Sequence, residues 1–183
     1  MNRVCGGCTL CCKLLPVGSL GKLAGERCRH QAHGKGCRLH GTGAMPRECR
    51  LWNCRWVGGA EGTEHLPRPD RAHYVLDIMP DYVTLSTPDG EFDMLVIQVW
   101  IDPAFPDAHR DPQLRAYLAA CGERDRCAAI IRYDSRRGIV VFPPALSADG
   151  QWHEIADGEC VPQTRERMEK LWSGGMTLEL RES

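Results

Sequence analysis

Eight cysteines stand within the first 55 residues: Cys5, Cys8, Cys11, Cys12, Cys28, Cys37, Cys49 and Cys54. The same segment has few long apolar runs, so it buries little surface unaided and needs something to tie its loops together. Disulfides answer this poorly. The chain carries eleven cysteines in all, an odd number that cannot pair completely within one molecule. Residues 1–15 show neither the apolar stretch nor the small-residue cleavage site of a secretory signal, which sets the expectation of a reducing, cytoplasmic compartment. Metal ligation explains the thiols better than oxidation does.

Cys5, Cys8, Cys11 and Cys12 form a Cys-x-x-Cys-x-x-Cys-Cys run, with Gly6 and Gly7 letting the backbone turn between the first two thiols. Cys28, Cys37, Cys49 and Cys54 bring the total to eight, enough for two tetrahedral four-thiolate sites. In an extended segment neighbouring side chains point in opposite directions, so Cys11 and Cys12 are not expected to serve one mononuclear ion. Two centres, or one spectator thiol, follow. His30, two residues after Cys28, is the first imidazole that could replace a thiolate, ahead of His33 and His40.

Closed thiolate sites favour zinc. Iron or an iron-sulfur cluster is the alternative, because Cys-x-x-Cys-x-x-Cys also opens a four-iron motif. The ferredoxin-type continuation is missing: Cys12 follows Cys11 at once and precedes Lys13 rather than proline. Cys121, Cys127 and Cys160 have no close ligand partner in sequence and read as small buried hydrophobes.

Charge divides the chain. Residues 1–60 hold ten Lys and Arg against two acids, whereas residues 61–183 hold thirteen against twenty-two. Arg27, Arg29, Lys35, Arg38, Arg47, Arg50 and Arg55, beside Trp52 and Trp56, raise nucleic-acid binding as a reading. The plainer reading is that the bases offset thiolates, and that two tryptophans four apart cover a small core. No run reaches the roughly 18 apolar residues of a membrane helix. A protein partner is possible on this sequence, a nucleic-acid partner is disfavoured, and a membrane is not expected.

The expected organisation is a cysteine-rich module over residues 1–60, joined through a polar linker at Gly58 to Thr63 to an α+β portion over 61–183. At 43% hydrophobic and 26% charged residues, the composition suits a folded globular chain. Strands are expected at Tyr74 to Met79, Tyr82 to Ser86 and Asp93 to Ile101, with a turn at Pro88-Asp89-Gly90. Asp111 and Pro112 open a helix that Gly122 ends. Ala128 to Tyr133 and Ile139 to Phe142 form a hairpin stopped by Pro143-Pro144, and Thr164 to Trp172 forms a last helix. Asp77, Asp81, Asp89, Glu91 and Asp93 read as surface carboxylates at strand edges and turns. His65, His73, His109 and His153 are scattered and suggest no site. Asp70 is expected to pair with a flanking arginine, Arg68 or Arg71.

Cys5-Gly6-Gly7-Cys8-Thr9-Leu10-Cys11-Cys12-Lys13, Leu20-Gly21-Lys22-Leu23-Ala24-Gly25, Cys28-Arg29-His30, Gly36-Cys37, Pro46-Arg47-Glu48-Cys49-Arg50 and Cys54-Arg55-Trp56 together resemble the CxxCxxCC cysteine-cluster family, also described as a zinc- or iron-chelating domain of YkgJ type. The resemblance covers residues 5 to about 56, with a weaker echo at Leu66 to Arg71; Met45 departs from it, standing where the family usually has arginine. It implies metal chelation but no particular reaction. A closed thiolate shell leaves no position for water or substrate, so the expectation is a metal-binding protein, not a hydrolase, whose centre is structural or handles metal. Gly18-Ser19-Leu20-Gly21 lacks the phosphate-binding pattern that a cofactor-dependent redox enzyme would offer.

Overall fold

Strand β3 (Tyr74–Thr87) and strand β4 (Gly90–Ile101) are rich in Val, Ile, Leu and aromatic residues, which suits a pleated, half-buried surface. They pair antiparallel from Tyr74 opposite Ile101 to Thr87 opposite Gly90. The computed structural model describes residues 3–87, 90–134 and 137–155. The two strands expected on either side of Pro80 are one strand interrupted by a bulge between Leu76 and Pro80. Proline donates no ladder hydrogen bond, and β3 tolerates it because it lies at the edge of the sheet.

Five strands form a mixed sheet in the order β3, β4, β5 (Ala128–Arg132), β6 (Gly138–Phe142) and β7 (His153–Ile155). β5 (Ala128–Arg132) runs parallel to β4, so the chain must cross over between them. It does so through a 3-10 turn at Pro106–Arg110 and helix α5 (Pro112–Asp125). β6 (Gly138–Phe142) returns antiparallel to β5, as the hairpin reading expected. Pro143 and Pro144 stop β6, but the sheet continues in β7 (His153–Ile155), which the sequence reading missed. The helix expected at Thr164 to Trp172 lies outside the described residues, as does Cys160.

Asp111 caps α5 by accepting from the Leu114 amide at 2.9 Å, and Pro112 occupies the first turn. The helix does not end at Gly122. It runs on to Asp125 and is closed by Arg126 in the left-handed conformation. Gly122 serves packing: a Cβ there would sit 2.4 Å from Pro143 Cγ. Leu114, Tyr117, Leu118 and Cys121 press onto Leu76, Ile97, Val99, Ile101, Ile131 and Val141, forming the main core on one face of the sheet.

The N-terminal segment docks on Val75 and Trp100 of the sheet. Helix α1 (Leu10–Leu14) presents Leu10 and Leu14 there, with Cys8 and Cys54 beside them. Helix α2 (Arg47–Leu51), helix α3 (Arg55–Gly58), helix α4 (Pro69–Ala72) and a two-stranded hairpin, β1 (Gln31–Ala32) with β2 (Gly36–Cys37), complete it. An isolated bridge joins Cys54 to Asp77. The segment expected as a linker is tied down: Thr63 is fully buried, and Arg3 donates to Thr63 Oγ1 at 3.0 Å, to its carbonyl at 2.7 Å and to the Trp56 carbonyl at 3.0 Å. The molecule is thus an α+β protein whose cysteine-rich segment shares a small apolar core with the sheet. Among the described residues no helix is long and apolar enough to cross a membrane.

Candidate metal centre

Two glycines shape the first thiol turn, for different reasons. Gly6 has φ +49°, which side chains rarely adopt. Gly7 lies so close to the β1–β2 turn that a Cβ would be 2.3 Å from the Gly34 carbonyl oxygen. The Cys8 amide then donates to the Cys5 carbonyl at 2.8 Å, and the chain enters α1. Cys11 and Cys12 therefore sit on a helix, not on an extended segment. Successive side chains on a helix are neighbours around its axis rather than opposed. The two thiols interact with each other, so the extended-segment premise does not hold here.

The thiols act on one another in two overlapping groups, linked through Cys11 and through the effect of Cys5 on Cys12. Cys5 interacts directly with Cys11, while Cys8 and Cys54 both lie within electrostatic reach of Cys5. Cys49 feels Cys12, Cys28 and Cys37. The Cys28 amide donates to the Cys12 carbonyl at 2.8 Å, bringing the second loop back to α1. Cys37 is held by the β1–β2 hairpin opposite Gln31, and its sulfur accepts from the Leu39 amide at 3.4 Å. Cys11 and Cys12 stand where the groups meet.

Their protonation is graded by environment. The Cys11 thiol holds Cys5 down, against the effect of burial and with help from the Arg68 charge, to about 7. Cys11 likewise holds Cys12 down to about 7, with Lys22 assisting. Cys11 itself is pushed well up by its interactions with Cys12 and Cys5 and by burial. Burial raises Cys8, although the Leu10 and Asp70 amides oppose it. Burial also raises Cys54, whose sulfur is near the Val57 and Trp56 amides without making a capping hydrogen bond. Burial is again the leading cause for Cys49, followed by the neighbouring thiols.

Two cations face the thiols, and sequence reasoning singled out neither for that role. Lys22 is buried, with its ammonium donating to the Leu15 and Leu23 carbonyls; burial lowers its pKa, while Cys28, Cys12, Glu26 and Cys11 draw it back up. No periodicity marks Lys22 in the sequence. Arg68 grips Asp70 through two hydrogen bonds of 2.6 and 2.7 Å, as the linker reading expected, and its charge reaches Cys5 and Cys8.

Among the described residues the His30 imidazole makes its one side-chain hydrogen bond outside the thiol group. Its Nε2 faces the Arg29 guanidinium, 3.2 Å from Nε, and its carbonyl accepts from Arg38. Two carboxylates read as surface groups are buried. Asp77 accepts from the Trp52 indole at 2.7 Å and the Trp100 indole at 3.2 Å, and Asp81 pairs with Arg132 at 2.8 Å. An indole needs a partner when buried, and one carboxylate here serves two. Trp52 and Trp56 pack against the core beneath the thiols, as the plainer reading of that pair expected.

Among the described residues no three His, Cys, Asp or Glu groups converge closely enough, as they stand, to hold an ion. The ten described cysteines are all free thiols. The donor chemistry, free thiols with cationic neighbours, fits a soft or borderline cation. Fold and site define an α+β protein with a thiol-rich flank on a mixed sheet. No family model matches this chain, and searches of curated proteins and of solved structures return no match.

Proposed function

We propose that the chain is a metal-binding member of the CxxCxxCC cysteine-cluster class, with two thiolate centres, zinc being the first choice of ion and iron the alternative. Cys5, Cys8, Cys11 and Cys54 would hold one ion, and Cys12, Cys28, Cys37 and Cys49 the other, with His30 outside both sets. The observation that carries this reading is the clustering of the thiols around α1: the Cys8 amide is bonded to the Cys5 carbonyl, the Cys28 amide to the Cys12 carbonyl, and Cys11 interacts with both Cys5 and Cys12; the assignment of ligands to two ions is the proposal itself. Lys22 and Arg68 support it as fixed counter-charges for sulfur anions. When bound, a closed-shell cation supplies cross-linking and no open coordination position, so the centre is structural or serves metal handling. The protein's own residues orient the thiols, bury Cys8 and Cys54, and exclude water with Leu10, Leu14 and Trp100.

Elemental analysis of anaerobically purified protein, with its visible spectrum, tests the reading. Two colourless zinc ions per chain are expected, and Cys8→Ser is expected to lose one. Brown protein with iron and sulfide would replace the structural reading by redox chemistry. A folded protein without metal, or undiminished metal in Cys8→Ser, would remove the proposal.

A further inference from the structure

Helix α4 and the Pro106–Arg110 turn enclose an open cleft of about 520 Å3, within the range of small-molecule sites. Its inner surface is a pair of stacked rings, His73 and Phe105, with centroids 3.5 Å apart and planes 10° from parallel. His73 holds this position at φ +62°, an uncommon conformation for a residue other than glycine, while its carbonyl accepts from the Asp102 amide at 2.9 Å. Phe105 remains 46% exposed. Pro67, Ala72, Pro106 and Ala108 supply apolar walls.

The charges lining this cleft are not equally available. Arg110 is matched by Glu154 at 3.1 Å and Asp107 at 3.5 Å. Asp111 is engaged by the Leu114 amide. Arg71 is exposed and forms no ion pair among the described residues, because its neighbour Asp70 is held by Arg68. A planar guanidinium beside an open aromatic face suits one ligand shape: a flat ring carrying a carboxylate.

We propose that this cleft binds a small aromatic carboxylate, its ring against Phe105 and its carboxylate on Arg71. The exposed ring would add nothing to a simple inorganic anion, which is why an aromatic acid is favoured over phosphate. The site does not depend on the thiols holding metal, although α4 borders both: the Asp70 amide acts on Cys8, and Arg71 and Ala72 line the cleft.

Benzoate is the probe, titrated into the purified full-length chain while the backbone amide signals of Ala72, Phe105 and Ala108 are followed by nuclear magnetic resonance. Saturating shifts at millimolar benzoate are expected, with none from benzyl alcohol. Arg71→Gln should weaken binding by about tenfold or more, the size of a lost charge-assisted contact, and Phe105→Ala should weaken it as well. Arg71 is exposed, so Arg71→Gln should melt as the parent does, whereas Phe105→Ala gives up the stack on His73 and its binding is read below its own melting temperature. Absence of shifts at tens of millimolar, binding undiminished in both variants, or inorganic phosphate binding as well as benzoate would each overturn the proposal.

Discussion

A thiol ligates metal only as its anion, so the order in which these cysteines ionise bears on how the chain takes up an ion. Cys5 and Cys12 lie at about 7 in the fold, against 9.0 for an unperturbed thiol. A folded value below the unfolded one means that ionisation of these two groups favours the metal-free fold. That contribution is complete above about pH 9, declines as pH falls, and is gone below about pH 7. Iodoacetamide labelling of metal-free protein, read by mass spectrometry, should therefore mark Cys5 and Cys12 with a rate that rises through pH 7. Cys8 and Cys54, raised by burial, should lag behind both. Equal rates for all four at pH 7 would contradict the graded environments.

Elements were legible in the sequence wherever local chemistry set them. Asp111 and Pro112 announced α5, and the β-branched runs announced β4, β5 and β6, because caps and alternation act over a few residues. Gly122 misled because its role depends on Pro143, a neighbour across the fold that no window around it contains. β7 was missed for the same kind of reason: three residues carry no periodic signal, and its place is set by pairing with β6, from Val140 opposite Ile155 to Phe142 opposite His153. Asp77 and Asp81 looked like edge carboxylates because their partners Trp52, Trp100 and Arg132 lie elsewhere in the chain. The eight N-terminal cysteines are visible in the sequence, whereas which of them act on one another depends on the fold of α1. Gly122→Ala tests the packing explanation directly. Placing a methyl against Pro143 should cost about 1–3 kcal/mol of stability, measured by urea unfolding, whereas a substitution that merely disturbed a helix end would cost little.

Across the whole molecule, the thiol-rich segment and the sheet meet through Val75, Trp100 and the Asp77 carboxylate that joins Trp52 to Trp100. If the proposed ions are bound, removing them with a chelator should therefore change tryptophan emission, while far-ultraviolet dichroism keeps most of its sheet signal because α5 covers the opposite face. Loss of both signals together would mean that the sheet cannot stand without the metal. The mixed topology also imposes a sequence of events in time. β3 and β4 meet across a short connection and can zip at once, but β5 reaches β4 only after α5 has closed a loop from Ile101 to Ala128, a slower, non-local step. The N-terminal helices need Val75 and Trp100, on those same strands, as their landing surface. A newly made chain thus presents the thiol-rich segment ahead of the strands that shelter it. During that interval the thiols lie open to solvent and to any oxidant nearby, so the segment richest in nucleophiles is the one that waits longest for cover.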